Sequence, residues 1–523
     1  MSVDRITPGW NVRMTPTPSS PFGDNANIAQ LIGRRAETRK DREFLVWVPN
    51  GEPVQRWSYA AFAHDVFALA AGLRRAGIAP GERVALVMDN RPEFLIAWSA
   101  ITSIGAVAVC LNTRSSSDEL AYFAEHSAIV AAFADAEHVE PVGRVMPALR
   151  WLCAVDEPAT FRRYLADPDE ILVPTPSSAP ASIQYTSGTT ARPKAVVWTQ
   201  ANCLWGGLVN SRHQDLTISD VNFVHLPLFH TNALSYSFLA TLWTGSSMVL
   251  VPRFSVSRFW RVAVEHRCTW STLVAFCLRA LASVEAPDEH YFRGWAGGSV
   301  TAAGTGPGGV GTTGWFGMTE TISHPICSLP GLPRVVGSMG RPAPEYGVAV
   351  VDEDDRPVPT GEAGNLLVLG TRGLSLFVGY HDNPEAAAKA FTDTGWFRTG
   401  DRVRAGEDGS ITFVERDKDV LKVGGENIGA PEIERVVLGT PGVREAAVVG
   451  RPHPMLGEVP VVFVTVCGDP AEAETAIRQR CEGLLADFKR PREVFVIDDF
   501  PRSTLDKIAK AALRARVADS NPT

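Results

Sequence analysis

From Trp57 to Asp135 the apolar positions switch repeatedly between helical and strand spacing. WSYAAFAHDVFALAAGLRRAG has the 3.6-residue period of an amphipathic helix ending at Gly77, with two arginines near its C-terminal end. RVALVMDN then predicts a short buried strand, and a helix, AVAVCL, a second helix (SSDELAYFAEH) and the strand AIVAAFAD follow. Strands alternating with helices predict a parallel sheet covered on its faces. The rhythm returns after Asp220: VNFVHLPL as strand, SYSFLATLW as helix, SMVLVP as strand, SVSRFWRVAVEHR as helix, and STLVAF as a strand or the start of a helix. Two such sets predict two related layers inside one large unit.

From about Gly340 the texture changes to short strands with turn signals, EYGVAVVDEDDRPVPTGEAGNLLVLG, which predicts a small β-rich lobe. After Lys418 the pattern is mixed: EIERVVL, EAAVVG, PVVFVTV, AEAETAIRQRCEGLL, REVFVID and a last basic helix. The fold class is therefore α/β. Residues 1–417 are expected to form a large N-terminal domain of two stacked β-α layers plus the β-rich lobe. Residues 418–523 are expected to form a smaller α+β C-terminal domain.

Phe94 to Leu111 is an 18-residue run without charge, close to membrane-spanning length. Gly105 divides it into a helix-like half and a strand-like half, so a buried helix followed by a buried strand is expected. The polar, Pro- and Ser-rich start lacks the charged and apolar regions of a secretory leader. With 523 residues, 45% hydrophobic and 21% charged, the chain has the balance of a soluble multidomain protein. Its net charge of -8 offers no broad basic surface to nucleic acid or anionic lipid. The eight cysteines stand apart without zinc-like spacing and are expected to be buried or incidental thiols in a reducing cytoplasm.

The densest chemistry lies at Tyr185-Thr186-Ser187-Gly188-Thr189-Thr190-Ala191-Arg192-Pro193-Lys194. Four hydroxyls, a glycine and a lysine within nine positions after a strand suit a polyphosphate, although the spacing is not that of a Walker A loop. A stretch at 297–314, GGSVTAAGTGPGGVGTTG, reads either as a flexible loop or as a backbone-lined wall of a ligand site.

TSGTTARPKAVV resembles the phosphate loop of the adenylate-forming superfamily, which includes acyl- and aryl-CoA synthetases, adenylation domains of nonribosomal peptide synthetases, and luciferases. Further segments resemble that family's motifs in order. Pro227-Leu228-Phe229-His230 lies where the acid pocket is expected, Trp315-Phe316-Gly317-Met318-Thr319-Glu320 matches the aromatic-Gly-x-Thr-Glu motif, and Gly395 to Asp401 matches the ribose motif. Glu415 to Asp419, continuing through Gly424 to Ile428, matches the hinge, and Pro501 to Ile508 matches the C-terminal lysine motif. The resemblance spans about residues 30 to 515, and FSVSRFW at 254–260 resembles the branch of carnitine- and medium-chain-type CoA ligases.

The resemblance implies ATP, Mg2+ and CoA as small-molecule partners. Thr186, Ser187, Gly188, Thr189, Thr190 and Lys194 would hold the β- and γ-phosphates, Thr319 the α-phosphate, and Glu320 the Mg2+. Phe316 would pack on adenine with Gly298 nearby. Asp401 would accept from both ribose hydroxyls with support from Arg416. Lys507 would meet the charge that develops as acid and phosphate join, with Thr186, Glu320 and His230 as further catalytic residues. His230, Asn232 and Tyr236 would line the acid pocket and favour a polar or aromatic acid. Lys418 would be the pivot of a mobile C-terminal domain, and Lys422, Gly424 and Gly425 would border the acceptor channel.

The implied reaction is ATP-dependent activation of a small acid followed by transfer to CoA. A carrier protein or amine as acceptor, activation of nitrite for diazotisation, and an inactive nucleotide-binding homologue are the alternatives; a homodimer stays open. Three features depart from the family pattern. Ala191 and Ala195 replace glycine, which would strain a loop needing positive φ by about 1 kcal/mol. Asp506 replaces glycine beside Lys507. The glycine-rich stretch lacks the helical pattern of its counterpart, which is expected to remodel the acid pocket.

Overall fold

The computed structural model describes residues 21–168, 174–186, 192–301, 303–416, 420–501, 508 and 510–518. The chain divides into two compact units, one of residues 1–113, 123–184 and 195–415, the other of residues 114–122, 185–194 and 416–523.

The first unit contains both predicted layers. The uncharged run becomes the helix Pro92–Ser103 and the strand Val107–Cys110, buried throughout. The turn between them needs glycine, because Gly105 has φ of 74°. No helix among the described residues is long and apolar enough to cross a membrane. The helix Tyr59–Arg75 begins at Ser58, whose hydroxyl accepts the Ala61 N–H.

One sheet has seven strands in the order Gly379–Tyr380, Lys194–Thr199, Pro180–Thr186, Val107–Cys110, Arg83–Val87, Ile129–Ala134, Trp151–Ala154. Parallel pairing runs from Pro180–Thr186 through to Trp151–Ala154. The other sheet has nine strands, parallel from Glu43–Trp47 through Ser247–Leu250, Val221–Val224, Trp270–Thr272 and Gly294–Gly297 to Thr312–Phe316, with antiparallel margins. Both sheets feed one apolar core, in which Val84, Leu86 and Ala108 from one and Val224, Val249 and Trp295 from the other are buried. Parallel strands covered on both faces explain the continuous apolar runs.

Asn90 joins the C-terminal ends of strands in the two sheets. Its amide nitrogen donates to the Leu226 and Val251 carbonyls (2.9 and 3.2 Å), and its oxygen accepts the Leu228 N–H (2.8 Å). Candidate site residues in this fold lie at these same strand ends, where α/β sheets commonly present ligand sites.

The predicted helix SYSFLATLW is an eight-residue π-helix, Asn232–Leu239, running into the α-helix Ala240–Thr244. Its widened turn is pinned from outside. Thr272 donates to the Asn232 side chain (2.6 Å), the Ser235 hydroxyl donates to the Ile322 carbonyl (2.7 Å), and Gln214 donates to the Tyr236 carbonyl (2.6 Å). Tertiary bonds of this kind outcompete the α ladder.

The glycine-rich stretch is more ordered than a plain loop. It closes the strand Gly294–Gly297, forms a short turn at Pro307–Gly309 and opens the strand Thr312–Phe316. Gly314 is required by close approach, since a Cβ there would stand 2.5 Å from the Ser338 carbonyl oxygen. The β-rich lobe is a four-stranded sheet of Gly347–Val351, Ala363–Leu369, Phe397–Ala405 and Ile411–Arg416.

The helix Gln200–His213 starts in a reciprocal cap. Thr199 Oγ1 accepts the Asn202 N–H (3.0 Å), Asn202 Oδ1 accepts the Thr199 N–H (2.9 Å), and the Thr199 hydroxyl also donates to the Gly373 carbonyl (2.7 Å). Thr199→Ala is expected to cost about 1–2 kcal/mol, read as a lowered urea midpoint for this unit. An unchanged midpoint would show that the cap contributes nothing.

The second unit holds a five-stranded sheet in which Glu426–Gly429, Val420–Val423, Gly457–Val466 and Val443–His453 are neighbours and Glu493–Val496 pairs with Gly457–Val466. The helices Ala430–Leu438 and Pro470–Leu484 cover a core of Leu421, Ile433, Val462 and Ile477, while the helix Lys510–Ala518 places Leu513 and Val517 in a second. Lys489 is buried between two carboxylates, donating to Glu432 at 2.7 Å and to Glu119. Burial pushes Glu432 up, to about 7, against the pull of Lys489. Burial would raise Glu119 too, but the Lys489 ammonium outweighs it and holds that carboxyl low.

Seven cysteines are buried and Cys467 is exposed. Burial pushes the Cys110 thiol up to about 12, which keeps it inert.

Candidate functional site

In the first unit the chain leaves the strand Thr312–Phe316 and turns tightly at Thr319–Thr321. This turn places Glu320 in the interior, 6% exposed. The Tyr380 hydroxyl donates to Glu320 Oε1 at 2.9 Å, and the Glu320 carbonyl accepts the Phe377 N–H at 2.8 Å. Burial, with the Glu320 charge beside it, raises the Tyr380 phenol far above its ordinary value, so it remains a donor.

Thr319 is fixed from two sides. The Trp198 indole N–H donates to its carbonyl at 2.9 Å, and the Thr231 hydroxyl donates to its Oγ1 at 3.1 Å. Phe316 ends the same strand and is 7% exposed. Asp401 lies within Phe397–Ala405, fully buried, and its N–H donates to Thr399 Oγ1 at 3.1 Å. Gly298 is exposed just beyond Gly294–Gly297, with open space where a Cβ would point.

His230 is half-buried with its ring 4.7 Å from that of Phe229. Asn232 and Tyr236 lie on the π-helix, four residues apart. The Asn232 oxygen accepts the Thr272 hydroxyl at 2.6 Å. The Tyr236 hydroxyl lies over Gly317, 2.5 Å from where a Cβ of that residue would stand. The Tyr236 ring is 4.1 Å from His324 and 5.7 Å from Trp315.

The remaining candidates belong to the second unit. Thr186 Oγ1 donates to the Lys194 carbonyl at 3.4 Å, closing the base of the hydroxyl-rich loop. Ser187, Gly188, Thr189, Thr190 and Ala191 lie outside the described residues, as do Asp417, Lys418, Asp506 and Lys507. Arg416 ends the strand Ile411–Arg416, and its side chain is likewise outside the description. Lys422 is exposed, with its N–H donated to Glu458 Oε2 at 2.8 Å. Gly424 and Gly425, at φ of 60° and 97°, form the turn between Val420–Val423 and Glu426–Gly429.

Ala195 corrects an expectation. It sits in the strand Lys194–Thr199, outside the positive-φ region and 1% exposed, so the strain expected of alanine does not arise there. Sequence reasoning missed Tyr380, Trp198 and His324 as neighbours of the Thr-Glu turn. Tyr380 stands 60 positions beyond Glu320 in a segment without any motif.

Among the described residues no group of three or more His, Cys, Asp or Glu side chains could hold a metal ion. Glu320 offers a buried carboxylate here, with one oxygen already receiving a hydroxyl. That suits Mg2+, which binds one or two protein carboxylates and completes its shell with phosphate oxygens and water.

A family profile described as AMP-binding enzyme matches residues 32–381, and one described as AMP-binding enzyme C-terminal domain matches residues 432–507. The crotonobetaine/carnitine–CoA ligase of Salmonella arizonae is 30% identical over 512 residues, covering 93% of this chain and 99% of that protein. A double mutant of the o-succinylbenzoate CoA synthetase of Bacillus subtilis, solved with a product analogue, superposes with a TM-score of 0.80 at 26% identity. It covers 94% of this chain and 99% of its own. ATP-bound MatB from Rhodopseudomonas palustris superposes with a TM-score of 0.69 at 27% identity, covering 94% and 99%.

Proposed function

Because this chain belongs to the AMP-binding enzyme family, we propose that it activates a small polar or aromatic acid as its adenylate and transfers the acyl group to CoA. It is an enzyme of the AMP-forming acid–CoA ligase type. The observation that carries the proposal is the buried turn Thr319–Glu320, locked by Tyr380, Trp198 and Thr231 at the end of a parallel strand.

In the first half-reaction a carboxylate oxygen of the acid attacks the α-phosphorus and pyrophosphate leaves. Two anions must meet, so catalysis is mainly positioning and charge neutralisation. Thr319, held by its own carbonyl and hydroxyl bonds, would present its side chain to the α-phosphate. Glu320 would hold Mg2+, which when bound offsets phosphate charge. Asp401 would accept from the ribose hydroxyls, and Phe316 would cover adenine with Gly298 beside it. Thr186 to Thr190 and Lys194 would hold the β- and γ-phosphates, and His230 would border the acid.

In the second half-reaction the CoA thiol attacks the acyl carbon and AMP leaves. Rotation about Lys418 would exchange Lys507 for the turn of Lys422, Gly424 and Gly425, whose bare backbone leaves room for a slender pantetheine.

The test is AMP release from Mg-ATP with aliphatic, aromatic and amino-aromatic acids, and with nitrite, each with and without CoA. CoA-stimulated release with one acid class is expected. Release that CoA does not stimulate would move the chain to a carrier-protein, amine or nitrite reaction, and silence throughout would overturn the proposal.

A further inference from the structure

Ile322, directly after the Thr-Glu turn, has φ of 58° and ψ of -30°. A positive φ on a β-branched side chain is an outlier, because its Cβ crowds the backbone, and it persists only where the surroundings enforce it. The Ser323 N–H donates back to the Thr321 carbonyl and closes a three-residue turn around Ile322. Outliers of this kind gather at active sites. This one adjoins the residues proposed for the α-phosphate and Mg2+.

A buried hydroxyl grips the turn on both sides of Ile322. Tyr346, 5% exposed, stands just before the strand Gly347–Val351. Its hydroxyl lies 2.9 Å from the Thr321 carbonyl oxygen, 3.1 Å from that of Ser375 and 2.6 Å from Ser323 Oγ. It also accepts the Trp205 indole N–H at 3.2 Å. A phenol has one proton and two lone pairs. Trp205 and the Ser323 hydroxyl fill the lone pairs, and the proton serves the two carbonyls. Ser375 in turn leads to Phe377 and Tyr380, both donors to Glu320. The Ile322 carbonyl itself accepts the Ser235 hydroxyl at 2.7 Å and the Asn210 amide at 3.3 Å.

We propose that Tyr346 is a positioning residue for acyl-adenylate formation: its hydroxyl fixes the strained turn at Ile322 and so sets the side chains of Thr319 and Glu320 for the α-phosphate and Mg2+. The inference rests on the acid-activating function and adds a residue that acts from behind the site, through the backbone. Glu320 lies between Thr319, whose carbonyl Trp198 holds, and Thr321, whose carbonyl Tyr346 holds. Without the hydroxyl, Ile322 relaxes toward negative φ and carries the peptide planes of Thr321 and Glu320 with it. Groups that orient a metal ligand from behind typically contribute about 10–100-fold to metal affinity or activity.

The experiment is calorimetric titration of ATP, with Mg2+ and with a chelator in its place, on the wild type, Tyr346→Phe and Ser235→Ala. No acid or CoA is needed. The wild type is expected to bind ATP more tightly with Mg2+. In Tyr346→Phe that gain shrinks by about tenfold, while metal-free ATP affinity stays within about twofold of wild type. Ser235→Ala, which takes one donor from the Ile322 carbonyl, shifts the gain the same way by less. Adding Ile322→Gly to Tyr346→Phe restores most of it, because glycine adopts a positive φ without crowding. A purely structural tyrosine would lower stability and leave the ratio of the two affinities at its wild-type value. An unchanged ratio in whichever variant folds overturns the inference, as does a loss that Ile322→Gly leaves in full. Equal wild-type affinity in both conditions would remove Glu320 from Mg2+, and this inference with it. Acid-dependent AMP release, measured separately, would still stand in each of these cases.

Discussion

Lys507→Ala is expected to slow acyl-adenylate formation by at least about 100-fold while ATP binding stays within a few-fold of wild type. Lys507 stands in the segment Pro501 to Ile508 that matches the family's C-terminal lysine motif. Its ammonium would meet negative charge that exists only as the carboxylate and the α-phosphate join. An interaction confined to the transition state lowers kcat when it is lost and leaves ground-state binding alone. A factor of 100 corresponds to about 2.7 kcal/mol of barrier. The measurement pairs single-turnover adenylate formation with calorimetric titration of ATP. Near-normal adenylation would remove Lys507 from the chemistry, and parallel loss of ATP affinity would make it a binding residue.

Lys489→Ala is expected to destabilise the second unit by about 3–5 kcal/mol. Lys489 is the cation shared by Glu432 and Glu119, and all three side chains are less than 10% exposed. Removing it leaves two buried carboxylates without the ammonium they share. Their protonation then sets the pH dependence. A carboxyl whose folded pKa is raised above its unfolded value near 4.5 gives stability that is complete below that value and lost as pH rises through the folded one. Glu432 already behaves this way, with its window running up to about 7. Glu119, held low by Lys489, has the opposite sign: its contribution is present above the unfolded value and lost as pH falls. Without the lysine both carboxyls take the Glu432 sign, so the variant should be less impaired at pH 5 than at pH 8. Hydrogen exchange of amides in Val443–His453 and Gly457–Val466 reports this unit separately. Equal protection in variant and wild type at both pH values would show that the triad contributes nothing.

Much of this was legible in sequence because it is written locally. The split of residues 94–111 into helix and strand follows from one glycine and a change of period, and the structure places both as expected. The turn Thr319–Thr321 and Asp401 both lie in segments that read as motifs. What escaped is what only tertiary structure brings together. Nothing near Tyr380 marks it as the partner of Glu320, and Glu119 meets Lys489 across 370 positions. A lone histidine such as His324 carries no periodic signal. The π-helix was read as an ordinary helix because the bonds that widen it come from Thr272, Ile322 and Gln214, in other elements. Asn232, read as a pocket group, is also one of those pins.

The π-helix also bears on how this segment can change over generations. An α-helix advances about 100° per residue, and the wider turn at Asn232–Leu239 advances less at each step. Deleting one residue here would let the segment relax to α spacing, and one fewer step at the larger rotation carries the chain nearly the same way round. The helix Ala240–Thr244 that follows would then keep close to its present phase. A single insertion or deletion in this short stretch can thus exchange one helix type for the other, a change separate from point substitution.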